Sequence, residues 1–196
     1  ILFSRTLLER VLNRSLKASK INQKLKKIKL LALDVDGVLT NGSIYISSDG
    51  SEMKQFSIED STGAAFARSG DIELALISGR YSKATDIRSE ELKIKICHQG
   101  VLNKLDYLEK IASDMSLSLD EVAYVGDSYV DVPPIKAAGL GIAVSDAHPV
   151  ALEVADFVSS SMGGEGVLLE VVELILKSKG QFDSMIKEME KKVYNV

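Results

Sequence analysis

Asp34 and Asp36 stand one residue apart at the point where an apolar run, Leu30 to Leu33, stops and Gly37 follows. Two carboxylates that close repel each other unless a cation lies between them or one holds a proton. Both solutions are chemically useful. Beside Mg²⁺ the first carboxylate can attack as a nucleophile, and the second can exchange a proton with a leaving group. An ordinary Asp-rich turn closing a strand has the same residues, so the rest of the chain decides between the two readings.

Three further polar groups follow apolar runs in the same way. Ser78-Gly79-Arg80 follows Ile72–Ile77, where a hydroxyl and backbone N–H groups can hold a phosphate oxygen, though the same residues also make a plain turn. Lys104 falls in the first turn of an amphipathic segment, Val101–Ser113. The helix dipole prefers anions there, so Lys104 is either solvated or a phosphate ligand. Asp127 and Asp131 lie in Gly126-Asp127-Ser128-Tyr129-Val130-Asp131 after Val122–Val125, and their spacing suits a hard, oxygen-liganded cation such as Mg²⁺. Asp131 has a second reading as the N-cap of a helix whose first turn contains Pro133 and Pro134. His148, in Asp146-Ala147-His148-Pro149, reads as structural or substrate-facing rather than metal-binding.

The elements that must position these groups alternate. Short apolar runs at 30–33, 72–77, 94–97, 122–125 and 141–144 read as buried parallel strands. Helical patterns at 82–92, 101–113 and 167–179 lie between or after them, the last ended by Gly180. The expected fold is α/β, a doubly wound, Rossmann-like parallel sheet whose crevice lies at the carboxyl ends of the strands. Between Gly42 and Ser57 the pattern alternates instead, around the turn residues Ser48-Asp49-Gly50-Ser51. This is a β-hairpin inserted directly after the first strand, and its apolar face needs a partner. Glu59–Gly63 opens a short helix, with Asp60 or Ser61 expected as N-cap.

Hydrophobic residues make up 45% of the chain and charged residues 27%, ordinary values for a globular protein. The net charge of −4 is unevenly spread. Residues 1–29 form a basic amphipathic arm, whose apolar stripe includes Leu2, Phe3, Leu7, Leu8, Val11, Leu12 and Leu16. Three readings of the arm stand open: docking on the body or another subunit, a targeting segment, or contact with a membrane surface. The body, residues 30–180, is acidic, which argues against nucleic-acid binding and suits a protein that meets anionic substrates through a metal. Residues 181–196 form a charged tail. A single cysteine, Cys97, excludes an internal disulfide and fits a reducing compartment.

Taken in order, these residues resemble the haloacid dehalogenase superfamily of aspartate-dependent phosphatases. DVDGVLT looks like its first motif, Ser78 its second, Lys104 its third and GDSYVD its fourth. Within the superfamily, DVDGVLTNG with the following hairpin, EDSTG, ISGR, HQG, DAHP and GGEGVLLEVVELIL are similar to the capless 3-deoxy-D-manno-octulosonate 8-phosphate phosphatases. The resemblance implies a Mg²⁺-dependent hydrolysis of a sugar-acid phosphate in lipopolysaccharide precursor synthesis, in the cytoplasm. It implies Asp34 as nucleophile, Asp36 as acid and base, and Ser78, Gly79 and Lys104 around the phosphate, with Arg80 on the sugar carboxylate. The metal environment would comprise Asp34, the Val35 carbonyl, Asp36, Asp127 and Asp131. It further implies no cap domain and a homotetramer in which hairpins assemble a barrel and neighbours help cover each site. A nine-carbon sialic- or KDN-type 9-phosphate is the alternative substrate, and a non-catalytic oligomerising module the alternative class. Two positions depart from the pattern. Asp60-Ser61-Thr62-Gly63 stands in place of Asp-Gly-x-Gly, and Gly126-Asp127-Ser128 in place of Gly-Asp-Asp; the first bears on the substrate loop and the second removes an acid near the metal.

Overall fold

Strand β1, Leu30–Leu33, has all four residues buried, because a parallel strand covered on both faces has no solvent side to favour polar residues. The computed structural model describes residues 18–194, so the apolar stripe between Leu2 and Leu16 lies outside the described residues. Residues 18–27 form helix α1. After β1 come a two-stranded hairpin, β2 (Tyr45–Ile46) and β3 (Glu52–Met53), then α2 (Glu59–Ser69) and β4 (Glu73–Ile77). The chain continues through α3 (Lys83–Leu92), β5 (Ile96–His98), α4 (Lys104–Asp114), β6 (Val122–Gly126) and α5 (Val132–Ala137). It ends with β7 (Leu140–Ala143), α6 (Pro149–Val154), β8 (Phe157–Val158), α7 (Val167–Lys179) and α8 (Phe182–Tyr194).

The main sheet is wholly parallel in the order β5-β4-β1-β6-β7-β8. Strands added after β1 run first one way (β4, β5) and then the other (β6, β7, β8). Right-handed crossovers therefore send α2 and α3 to one face and α4, α5 and α6 to the other. The point of reversal is at β1, which places the ligand crevice beyond Leu33, where Asp34 stands. The expected architecture is the observed one. β8 was not anticipated, since two residues carry no readable period. The third strand lies two residues later than expected, at Ile96–His98.

Helices α2 and α7 pack closely because Gly63 has no side chain. A Cβ there would stand 2.7 Å from the Leu169 amide nitrogen. Helix α2 begins with Ile58 as N-cap and has no side-chain cap; neither Asp60 nor Ser61 takes that role. Asp60 instead points inward, and Ser61 accepts a 3.3 Å hydrogen bond from the buried Arg88. The boundaries at 29/30 and 180/181 do not separate packing units. Leu25 and Ile28 before β1, and Met185 of α8, belong to the same buried apolar cluster as the strands.

The hairpin pairs Tyr45 with Met53 and Ile46 with Glu52, and Ser47 and Ser51 close it across the Asp49-Gly50 turn. Ile44, Tyr45, Ile46 and Met53 are exposed. Among the described residues, no helix is long and apolar enough to cross a membrane.

Candidate active site

β1 and β6 are hydrogen-bonded neighbours, and the ladder runs on past their ends: the Asp34 amide donates to the Val125 carbonyl at 2.9 Å. This sets Asp34 beside the turn that follows β6. Gly37, with φ at +93°, lets the first turn close against the second, because a Cβ there would lie 2.2 Å from an Asp127 carboxylate oxygen. A side chain at residue 37 is excluded by both the backbone angle and the space.

Lys104, the first residue of α4, is buried and joins the two turns. Its Nζ lies 2.8 Å from Asp34 Oδ2 and 2.7 Å from Asp131 Oδ1. The solvated reading of this lysine therefore fails. Burial opposes its charge, but Asp34 and Asp131 outweigh burial and hold the ammonium above its usual range. Asp131 occupies the expected N-cap position of α5, but its side chain makes no capping hydrogen bond there. Its Oδ1 also accepts from the Tyr124 hydroxyl at 2.7 Å, and its Oδ2 accepts from the amides of Asp127 and Ser128 and the Ser128 hydroxyl. Burial pushes Asp131 up, yet Lys104 and these donors bring it below the ordinary carboxylate range.

Asp34 and Asp127 behave oppositely. Burial, and then the charge of Asp131, pushes Asp34 up to about 8 and Asp127 up to about 7. Carboxylate oxygens of Asp34, Asp127 and Asp131 converge within 4.8 Å, against one lysine. Oδ1 of Asp127 is buried with no hydrogen-bond partner. An all-oxygen donor set, a deficit of positive charge and an orphaned carboxylate oxygen together fit a hard divalent cation. Both Asp131 oxygens accept from protein donors, and Asp34 accepts from the Val35 amide at 2.7 Å and from Lys104, which leaves Asp127 Oδ1 as the buried oxygen of this cluster without a partner among the described residues.

Two expected ligands need correction. The Val35 carbonyl accepts from the amides of Val38, Leu39 and Thr40, at 3.3, 3.0 and 3.1 Å, so it is turned into its own loop. The Asp36 carboxylate lies outside the carboxylate cluster. It does not share a strand face with Asp34, because β1 ends at Leu33 and Asp36 belongs to the turn. Lys54, after β3, binds its Oδ1 at 2.6 Å. The main-chain oxygen of Asp36 accepts no backbone hydrogen bond among the described residues.

Ser78 is buried just beyond β4, its hydroxyl donating to the Arg80 carbonyl at 3.0 Å. Gly79 brings this turn to Lys104: a Cβ on it would stand 4.0 Å from Lys104 Cε. Arg80, expected to face substrate, pairs with Glu52 of β3, which also accepts from the Ser82 hydroxyl at 2.8 Å. His148 caps α6 through Nδ1, and its ring lies 4.5 Å from that of Tyr129. Three residues of this region were not singled out from sequence. Tyr124 is the one polar-tipped residue of β6, while Glu52 and Lys54 alternate with Met53 on the second arm of the hairpin.

Residues 77–171 match the family model of haloacid dehalogenase-like hydrolases. The 3-deoxy-D-manno-octulosonate 8-phosphate phosphatase KdsC of Escherichia coli K12 is 41% identical over 160 residues, covering 82% of this chain and 85% of that one. The chain belongs to the haloacid dehalogenase-like hydrolases. Among solved members of this family, the 3-deoxy-D-manno-octulosonate 8-phosphate phosphatase of Moraxella catarrhalis, in complex with magnesium, phosphate and KDO, superposes with a TM-score of 0.84. It is 38% identical, and the match covers 86% of this chain and 97% of that one. The cobalt-bound enzyme of Haemophilus influenzae gives a TM-score of 0.78 at 34% identity, covering 81% and 93%.

Proposed function

We propose that this protein is a Mg²⁺-dependent phosphatase that hydrolyses 3-deoxy-D-manno-octulosonate 8-phosphate through an aspartyl-phosphate. The reading is carried by the Lys104 ammonium, which bridges Asp34 and Asp131 while an Asp127 oxygen beside them is buried and unpartnered. The eight-carbon substrate is favoured over the nine-carbon one because the relatives that this chain matches along most of its length, at 39% and 41% identity, are 3-deoxy-D-manno-octulosonate 8-phosphate phosphatases.

Asp34 attacks phosphorus in line, forming a bond from its carboxylate oxygen as the bond to the sugar oxygen breaks. Asp36 gives its proton to that departing oxygen. In the second step Asp36 takes a proton from water, the water oxygen bonds to phosphorus, and the Asp34–phosphorus bond breaks to release inorganic phosphate. Lys104 and the Ser78–Gly79 turn stabilise the phosphoryl oxygens as charge develops. Asp131 and Tyr124 hold Lys104 at its post. Asp34 and Asp127, with the Asp36 carbonyl, would hold magnesium, which would supply the positive charge that lets an anionic nucleophile approach an anionic phosphate.

The exposed Ile44, Tyr45, Ile46 and Met53 support assembly of copies through the hairpin into a homotetramer, which light scattering after gel filtration would test. The single cysteine, which fits a reducing compartment, supports a cytoplasmic location. Contact of the arm with membranes is tested by vesicle co-sedimentation with and without residues 1–29. The deciding experiment for function is phosphate release with Mg²⁺ from the eight- and nine-carbon sugar-acid phosphates side by side, with Asp34→Asn as control. Turnover of the eight-carbon ester, lost in the control, supports the reading; preference for the nine-carbon ester moves the substrate; no turnover of either by folded protein overturns it.

A further inference from the structure

Lys54 has a fully buried side chain, and its ammonium is held between three oxygens: Asp36 Oδ1 at 2.6 Å, Thr85 Oγ1 at 3.3 Å and Glu52 Oε1 at 4.0 Å. It comes from the hairpin, whereas Asp36 comes from the turn after β1 and Thr85 from α3. A lysine with a buried side chain that served only the hairpin would have no reason to reach across to the proton-transfer residue. Its neighbour Met53 points the other way and is exposed, as strand alternation requires. Glu52, on the same side as Lys54, holds Arg80 and Ser82. The inner edge of β3 is thus joined to both the Asp36 turn and the Ser78 turn.

We infer that Lys54 is a positioning residue for Asp36: by binding Oδ1 it fixes the carboxyl so that Oδ2 faces the departing sugar oxygen. The inference rests on the phosphatase reading above and assigns a role within it. The Asp36 side chain is 24% exposed, so solvent reaches it while Lys54 restrains it from behind. Without the lysine the carboxyl is free to turn, and misplacement of a catalytic group by about 1 Å costs on the order of 100-fold in rate. Lys54 touches neither the nucleophile nor the carboxylates of the cation cluster, so its loss leaves phosphate binding in place.

The test compares wild type with Lys54→Met and Lys54→Ala on two phosphate monoesters in Mg²⁺: the sugar-acid phosphate, whose alkoxide leaving group needs a proton, and p-nitrophenyl phosphate, whose phenolate does not. Both variants should lose on the order of 100-fold in kcat on the sugar ester with KM within about 3-fold. Loss of kcat/KM, which reports the step that expels the leaving group and not the Asp36-assisted hydrolysis common to both esters, should be at least about 10-fold smaller on the aryl ester. Ethylammonium should restore part of the Lys54→Ala rate on the sugar ester. Equal losses of kcat/KM on both esters, a change confined to KM, or wild-type rates in both variants would overturn the proposal. Melting curves separate a folding defect from these outcomes, and a variant that melts early without the leaving-group difference also counts against it. If wild type hydrolyses neither ester, the phosphatase reading itself has failed.

Discussion

Replacing Asp60 by asparagine should make the protein more stable above neutral pH and leave it unchanged in acid. Both Asp60 oxygens are buried without a hydrogen-bond partner, next to the start of α7. Burial pushes this carboxyl from 3.8 up to about 7; Arg88 and the Leu168 amide pull it down, and Glu59 pushes it further up. Between those two values the unfolded chain has released its proton while the folded chain keeps it, so raising the pH favours unfolding. The slope is about 1.4 kcal/mol per pH unit, and the accumulated cost approaches about 4 kcal/mol by pH 8 as an upper limit. At pH 4 the cost is already small, and it vanishes well below 3.8, where both states are protonated. Asparagine has no charge to bury, so Asp60→Asn should gain on wild type across this window, by about 2–4 kcal/mol at pH 8. Urea unfolding at pH 4 and pH 8 measures the difference. Equal stabilities at pH 8, or a less stable variant there, would refute the reasoning by showing that Arg88 and the helix amides already satisfy the ionised carboxylate.

Lys104→Met leaves Asp34 and Asp131 buried without their shared cation; it should lower stability in chelator by about 3–5 kcal/mol and reduce kcat by at least about 100-fold, read by unfolding and phosphate release. Gly63→Ala drives a Cβ into the α7 backbone and should cost about 1–3 kcal/mol, whereas Ser61→Gly should alter stability by about 1 kcal/mol or less, since it removes one long hydrogen bond. Thermal melting of both variants checks this. Mg²⁺ added to chelator-treated protein should raise stability by about 2.7 kcal/mol at a hundred times its dissociation constant. Asp127→Asn should abolish that increment, and a melt showing the same Mg²⁺ shift in this variant would remove Asp127 from the ligand set.

Most of the sheet was legible because its strands are buried on both faces and so stand out as short apolar runs ended by polar residues. β8 was not, since Phe157–Val158 borrows its strand conformation from β7 and has no pattern of its own. The chemistry of Asp34, Lys104, Asp127 and Asp131 was visible in residue type and position. What sequence left hidden was the direction in which groups point. Val35 offers a carbonyl like any other, and only the tight turn through Thr40 shows it consumed. Asp131 read as a cation ligand or as the N-cap of the next helix; it stands at the N-cap position, while the Tyr124 hydroxyl and the amides after β6 turn its carboxylate back to Lys104. Lys54 carries no signal of its own in the sequence, because its partner is 18 residues away along the chain, in the turn after β1.

Asp34 and Asp127 follow adjacent parallel strands whose register pairs Leu33 with Val125. Neighbouring strands lie about 4.8 Å apart wherever a sheet exists. The distance between the main-chain positions that carry the two carboxylates is therefore gauged by the peptide ladder, a ruler that side-chain substitution nearby does not recalibrate. What side-chain rotation adjusts is only the last few ångströms from those fixed anchors, and larger variation is left to the loops and neighbouring surfaces that sit above them.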